Sequence, residues 1–185
     1  GIDNFIMGSG SARIGLGRTH AWALFGRLDR GNVKLYRLQT TRDVLNEGDA
    51  LIEGTPPALF DWDGRLGALV HTGEALLALR INSTLGEIED QVILTSGETS
   101  DERVWSEAGA IRFVWQGGDE EVYYQVVRTD SAQLTGPKLN LSVAPYRSGR
   151  PAITLTDHGV IIAFEDERAR SAHPQLLLSK ISIEG

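Results

Sequence analysis

Cysteine is missing from the sequence altogether, which excludes disulfides, thiolate catalysis and cysteine-ligated metal but fits a reducing cytosol and a disulfide-free secreted setting equally. Long hydrophobic runs are also missing. No stretch approaches the roughly 20 apolar residues that span a bilayer, and the opening from Gly1 to Gly10 has no basic region leading into a long apolar one. A soluble chain with no membrane partner is therefore expected, from which a leader could already have been removed. Basic charge is scarce, with 18 Lys and Arg against 25 Asp and Glu, so the net charge of -7 repels a phosphate backbone and no nucleic-acid partner is expected. No glycine-rich loop follows a strand and opens a helix, and no nucleophile motif supports a Ser-His-Asp order, so nucleotide and serine-hydrolase chemistry are not expected. His20, His71, His158 and His173 have no metal-ligand spacing, and no metal site is read from them.

What the chain does have is a repeat. Four apolar runs end in a bulky residue: Ala21 to Phe25, Leu66 to Val70, Ile111 to Trp115 and Val160 to Phe164. Their last residues, at 25, 70, 115 and 164, are spaced by 45, 45 and 49. Tight turns precede three of them, at Asp63-Gly64, Ala108-Gly109 and His158-Gly159, and Gly17-Arg18-Thr19 precedes the first. Each run is followed by another apolar strand, over 33–38, 75–81, 121–127 and 175–181. A fourth strand follows in the first three units, at 50–52, 91–94 and 138–141. The last unit lacks one.

The missing strand is supplied by the other end of the sequence. Asn4-Phe5-Ile6-Met7-Gly8-Ser9-Gly10 reads like Gln91-Val92-Ile93-Leu94-Thr95-Ser96-Gly97, and each precedes a repeat. The sequence thus predicts an all-β chain, a four-bladed β-propeller closed when the N-terminal strand completes the last blade and so covers an exposed edge. One domain is expected, with blades at about 11–53, 54–97, 98–143 and 144–185, the last with 2–8. The segment from Thr40 to Glu47 is the one that could make a helical turn. A sandwich is the rival fold, but it gives no reason for a 45-residue period.

The fourth repeat, Arg150-Pro151-Ala152-Ile153-Thr154 through Gly159-Val160-Ile161-Ile162-Ala163-Phe164-Glu165-Asp166-Glu167-Arg168, resembles sialidase-type propeller blades and similar blades of bacterial secreted repeat proteins. The resemblance covers about 40 residues and implies the propeller fold, with a secreted or periplasmic location favoured. It departs from sialidases in two ways. The Ser-x-Asp-x-Gly-x-x-Trp box is absent, its hairpin here holding Arg128-Thr129-Asp130-Ser131, and sialidases have six blades, so their nucleophile and acid have no counterpart.

On a propeller, ligands bind the face where strand four leads to the next strand one and strand two to strand three. Arg13, Arg103 and Arg150 sit near the starts of inner strands, so repeat symmetry would turn three guanidiniums toward the axis, suited to a carboxylate or sulfate. Pairing with Asp101, Glu102, Glu165 and Asp166 is the bland alternative. Glu165, Asp166 and Glu167, with His173, could serve acid-base chemistry or offer oxygens to a structural calcium, and Glu165, Asp166 and Arg168 are candidate ligand contacts, though consecutive strand residues point to opposite sides and a solvated rim explains the run as well. No other cofactor is expected. Trp22, Trp105 and Trp115 read as filling between blades, whereas Trp62, beside a turn, is a candidate sugar-stacking platform. The leading expectation is a binding module, monomeric or homodimeric, for a glycan, an anionic small molecule or a protein partner. A sialidase-like glycoside-processing enzyme and half of a larger two-chain propeller are the alternatives.

Overall fold

The computed structural model describes the backbone of residues 12–16, 21–27, 32–38, 45–53, 55–82, 87–143, 146–167 and 175–182, with side chains from residue 58 onward. All regular structure among these residues is β. The first sheet is β1 (Ala12–Leu16), β2 (Ala21–Arg27), β3 (Asn32–Leu38) and β4 (Leu45–Glu53), and the second is β5 (Thr55–Trp62), β6 (Arg65–His71), β7 (Ala75–Asn82) and β8 (Glu87–Ser96). The third is β9 (Thr99–Glu107), β10 (Ala110–Gly117), β11 (Val122–Arg128) and β12 (Gln133–Asn140), and the fourth is β13 (Ser148–Thr156), β14 (Gly159–Asp166) and β15 (Gln175–Ile181). Within every sheet, strands adjacent in sequence are hydrogen-bonded neighbours.

The four apolar runs are the second strands. Leu66 to Val70 and Ile111 to Gln116 are buried without interruption, because an inner strand of a covered sheet meets neighbours on both faces. The outer strand β12 is exposed at all its residues. The turn between β5 and β6 needs positive φ at both central residues, which Asp63 and Gly64 supply at 51° and 77°, and the Gly64 amide donates to Asp61 Oδ1 at 2.9 Å. The expected helical turn over Thr40 to Glu47 is corrected in its last residues, since Leu45 already begins β4, where its backbone pairs with Leu38. Residues 39–44 lie outside the described set, as does the N-terminal segment expected to complete the last blade.

Two compact units divide the chain, residues 1–73 with 77–91, and residues 74–76 with 92–185. Within the first, β5 lies alongside β1 and β2; within the second, β13 lies alongside β9 and β10. In both, the first strand of a later sheet packs on the first two strands of the sheet before it. The core of the second unit lies between its sheets, where Val114, Val122 and Tyr124 meet Val160, Ile162 and Phe164. Burying these side chains stabilises by about 1.5 to 3 kcal/mol each.

The bulky residues that end the apolar runs share a register feature. Val70, Trp115 and Phe164 each face a two-residue bulge in strand one: Pro56 and Pro57 between the pairs Thr55↔His71 and Ala58↔Leu69, Asp101 and Glu102 between Ser100↔Gln116 and Arg103↔Val114, and Arg150 and Pro151 between Gly149↔Glu165 and Ala152↔Ala163. A bulge re-aims the side chains on either side of it. Asp101 and Arg150, each first in its bulge, adopt the left-handed backbone at φ 54° and 49°, which costs a non-glycine residue about 1 to 3 kcal/mol.

Candidate functional site

The bulges of the second unit open a cleft of about 200 Å³ between its two sheets. Its lining repeats itself. Asp101 and Arg150 are the equivalent first bulge residues, and Gln116 and Glu165 the equivalent residues that follow the bulky Trp115 and Phe164. Gly149, Arg147 and Glu167 complete it.

Backbone bonds hold the loops around the cleft. The Ser148 amide donates to Glu120 O at 2.8 Å, Glu167 N to Arg147 O at 3.0 Å, and Gly118 N to Glu98 O at 2.9 Å, which ties the β10–β11 turn to both neighbouring strand starts. Gln116 is only 6% exposed. Its Oε1 accepts from Ser100 Oγ at 3.2 Å, and its amide lies flat against Gly149, where an added Cβ would sit 2.9 to 3.0 Å from it. Among the described residues, no acceptor takes its Nε2 hydrogens.

Charge in the cleft is mixed. Arg150 Nη1 approaches Glu165 Oε2 at 3.3 Å with its side chain 72% exposed, and Arg147 Nε stands 3.7 Å from Glu120 Oε1. Exposed pairs of this kind contribute about 0 to 1 kcal/mol, so both guanidiniums can turn to a ligand at little cost. Asp166, between Glu165 and Glu167, faces the other way. It is fully buried and accepts from Ser148 Oγ at 2.9 Å, as strand alternation requires. The three acids therefore do not converge, and among the described residues no three acidic or histidine side chains are grouped as a metal would need.

The sequence-predicted positions separate accordingly. Arg150 and Glu165 line the cleft together. Arg103 does not: its exposed side chain donates from Nη1 to Glu102 O at 2.8 Å, and its register partner Val114 makes it the equivalent of Ala152. Arg13 is equivalent to Arg103, since it pairs with Leu24, the residue before Phe25. Its side chain, like Arg168, lies outside the described residues. The expected three-arginine cluster is thus corrected by the bulges, which place Arg150 two residues out of step with the other two. Trp62 is corrected as well. At 0% exposure it stacks on Phe60 at 6.0 Å under the Arg80 guanidinium, leaving no ring face for a sugar. Trp105, read as filling between blades, is 36% exposed. Gln116, Gly149 and Arg147 were not singled out from the sequence; a polar residue placed directly after an unbroken apolar run, as Gln116 is, was the available signal.

No known protein family matches the chain, and no curated protein does. Among solved structures, an endo-1,4-beta-xylanase from Bacteroides thetaiotaomicron VPI-5482 is similar at a TM-score of 0.47 and 12% identity, over 94% of this chain and 71% of that one. A GH43 endo-arabinanase from Bacillus licheniformis is similar at 0.43 and 12%, over 92% and 72%.

Proposed function

We propose that the chain is a binding module, a four-bladed β-propeller that holds a polyhydroxylated ligand of the glycan class in the cleft around Arg150. The observation that carries the binding reading is the pair of left-handed residues, Asp101 and Arg150, at one cleft. Backbone strain persists where surrounding structure imposes it, and it concentrates at binding sites. The propeller reading rests on the 45-residue period, the bulge shared by three inner strands and the same first-strand packing in each unit. Closure by residues 2–8 rests on the likeness of Asn4–Gly10 to Gln91–Gly97, whose first six residues lie in the outer strand β8, and on the last sheet, which has three strands among the described residues and exposes Leu176 and Leu178.

A glycoside-processing enzyme is the second reading, favoured by the three carboxylates of Asp101, Glu165 and Glu167 around one cleft. Two of them would have to stand roughly 5 to 10 Å apart across a glycosidic bond. Sialidase turnover is not expected, because Arg128 and Asp130 pair in the hairpin where that family carries its Asp box. The test is a panel of neutral, uronic, sulfated and sialylated oligosaccharides assayed by calorimetry and by release of reducing sugar. Binding without release supports the module, and release that is lost in Glu165→Gln supports the enzyme. No binding across the panel, with Arg150→Ala losing only stability, makes these residues struts between sheets.

A further inference from the structure

We infer that the cleft selects a neutral sugar over an acidic one, and that the fixed Gln116 amide is the group that reads its hydroxyls; this rests on the binding reading above. The lining carries three carboxylates against two guanidiniums, a net charge of -1. Both guanidiniums already face acids, Arg150 at Glu165 and Arg147 at Glu120, in exposed pairs worth about 0 to 1 kcal/mol, so a carboxylate or sulfate that took either arginine would exchange one weak ion pair for another and gain little. The cleft of an acidic chain offers such an anion no net attraction.

A neutral polyol meets a different balance. Each sugar hydroxyl both donates and accepts, so Asp101, Glu165 and Glu167 can take its protons while a neighbouring oxygen accepts from a protein N–H. Gln116 supplies that donor in fixed orientation. Ser100 holds Oε1, the bare Cα of Gly149 lets the amide lie against the backbone, and Gln116 lines the cleft with no protein acceptor for its Nε2 hydrogens among the described residues. A donor held in one orientation at the cleft favours a ligand that carries the matching acceptor.

The experiment compares methyl glucosides and methyl xylosides with methyl glucuronides, measured by titration of the full chain. Neutral sugars are expected to bind more tightly than the uronide, with dissociation constants that hold steady between about 0.05 and 0.5 M salt, because no ion pair is being screened. Gln116→Ala should weaken neutral binding about fivefold, the worth of one neutral hydrogen bond. Ser100→Ala, at an exposed residue, should weaken it in the same direction by releasing the amide while leaving the melting temperature in place. Tighter, salt-sensitive binding of the uronide overturns the inference while leaving the binding reading intact, as does a Ser100→Ala or Gln116→Ala protein that folds and binds neutral sugars like the wild type. Failure of every sugar to bind the wild type defeats the binding reading itself.

Discussion

Ser148 and Asp166 face one another across β13 and β14, with the serine hydroxyl donating to Asp166 Oδ2 at 2.9 Å and the accepting carboxylate fully buried. This bond sits directly behind the cleft, and Gly149 and Glu165, one residue along on each strand, open onto it. Ser148→Ala removes one donor from a buried carboxyl group, so a loss of about 1 to 3 kcal/mol is expected in urea unfolding. An unchanged midpoint would show that the carboxylate does not depend on that hydroxyl.

Tyr123 gives a prediction in alkaline solution. Its hydroxyl donates to Asp119 Oδ2, and this bond first, then burial and the charges of Asp119 and Glu121, pushes its pKa up to about 12. The neutral phenol is the form the fold favours, so its contribution is complete below the ordinary value near 10 and is lost as pH rises through about 12. Absorbance titration should show a late phenolate step that vanishes in Tyr123→Phe and moves down in Asp119→Asn. A wild-type Tyr123 ionising at the ordinary value contradicts the bond.

The sheet skeleton was legible in the sequence because the second strands read as apolar runs, four of which recur, ending at Phe25, Val70, Trp115 and Phe164; the second and third of them are buried throughout. The cleft was only partly legible. Arg13 lies 12 positions before Phe25 and Arg103 lies 12 before Trp115, but Arg150 lies 14 before Phe164, so counting back from the bulky residue separates them. That count acquires meaning only once the bulge is known, since two residues facing one change which side chains are equivalent. Trp62 misled for a related reason: proximity to the Asp63-Gly64 turn implies exposure, yet the ring folds back beneath Arg80 and against Phe60.

Gly159 sets the last hairpin. At φ 127° it holds a backbone that side chains rarely adopt, and an added Cβ would lie 2.3 Å from the Ile181 carbonyl oxygen. Gly159→Ala should cost on the order of 3 kcal/mol, strain and a forced opening of β14 from β15 together. Gly73→Ala is the control. Its φ is 83° but nothing lies within 4 Å, so the cost there should stay near about 1 kcal/mol. Equal losses at the two sites would refute the clash.

Removing residues 1–8 tests closure. Leu176 and Leu178 on β15 are each 69% exposed, and a strand added beside β15 would cover apolar groups worth about 1.5 to 3 kcal/mol apiece. The truncated chain should melt about 10 °C lower than the full one. Melting within about a degree or two of the full chain would count against an N-terminal strand at that edge.

The central claim, that the cleft between the third and fourth sheets is a sugar-binding site, is tested most directly by nuclear magnetic resonance of the full chain titrated with the tightest-binding neutral oligosaccharide of the panel. The account predicts concerted shifts of the Gln116 side-chain amide and of the Ser100, Gly149, Arg150 and Glu165 backbone amides, with the Trp62 indole unmoved. Shifts confined to other surfaces, or a Gln116 amide unchanged at saturation, would contradict it.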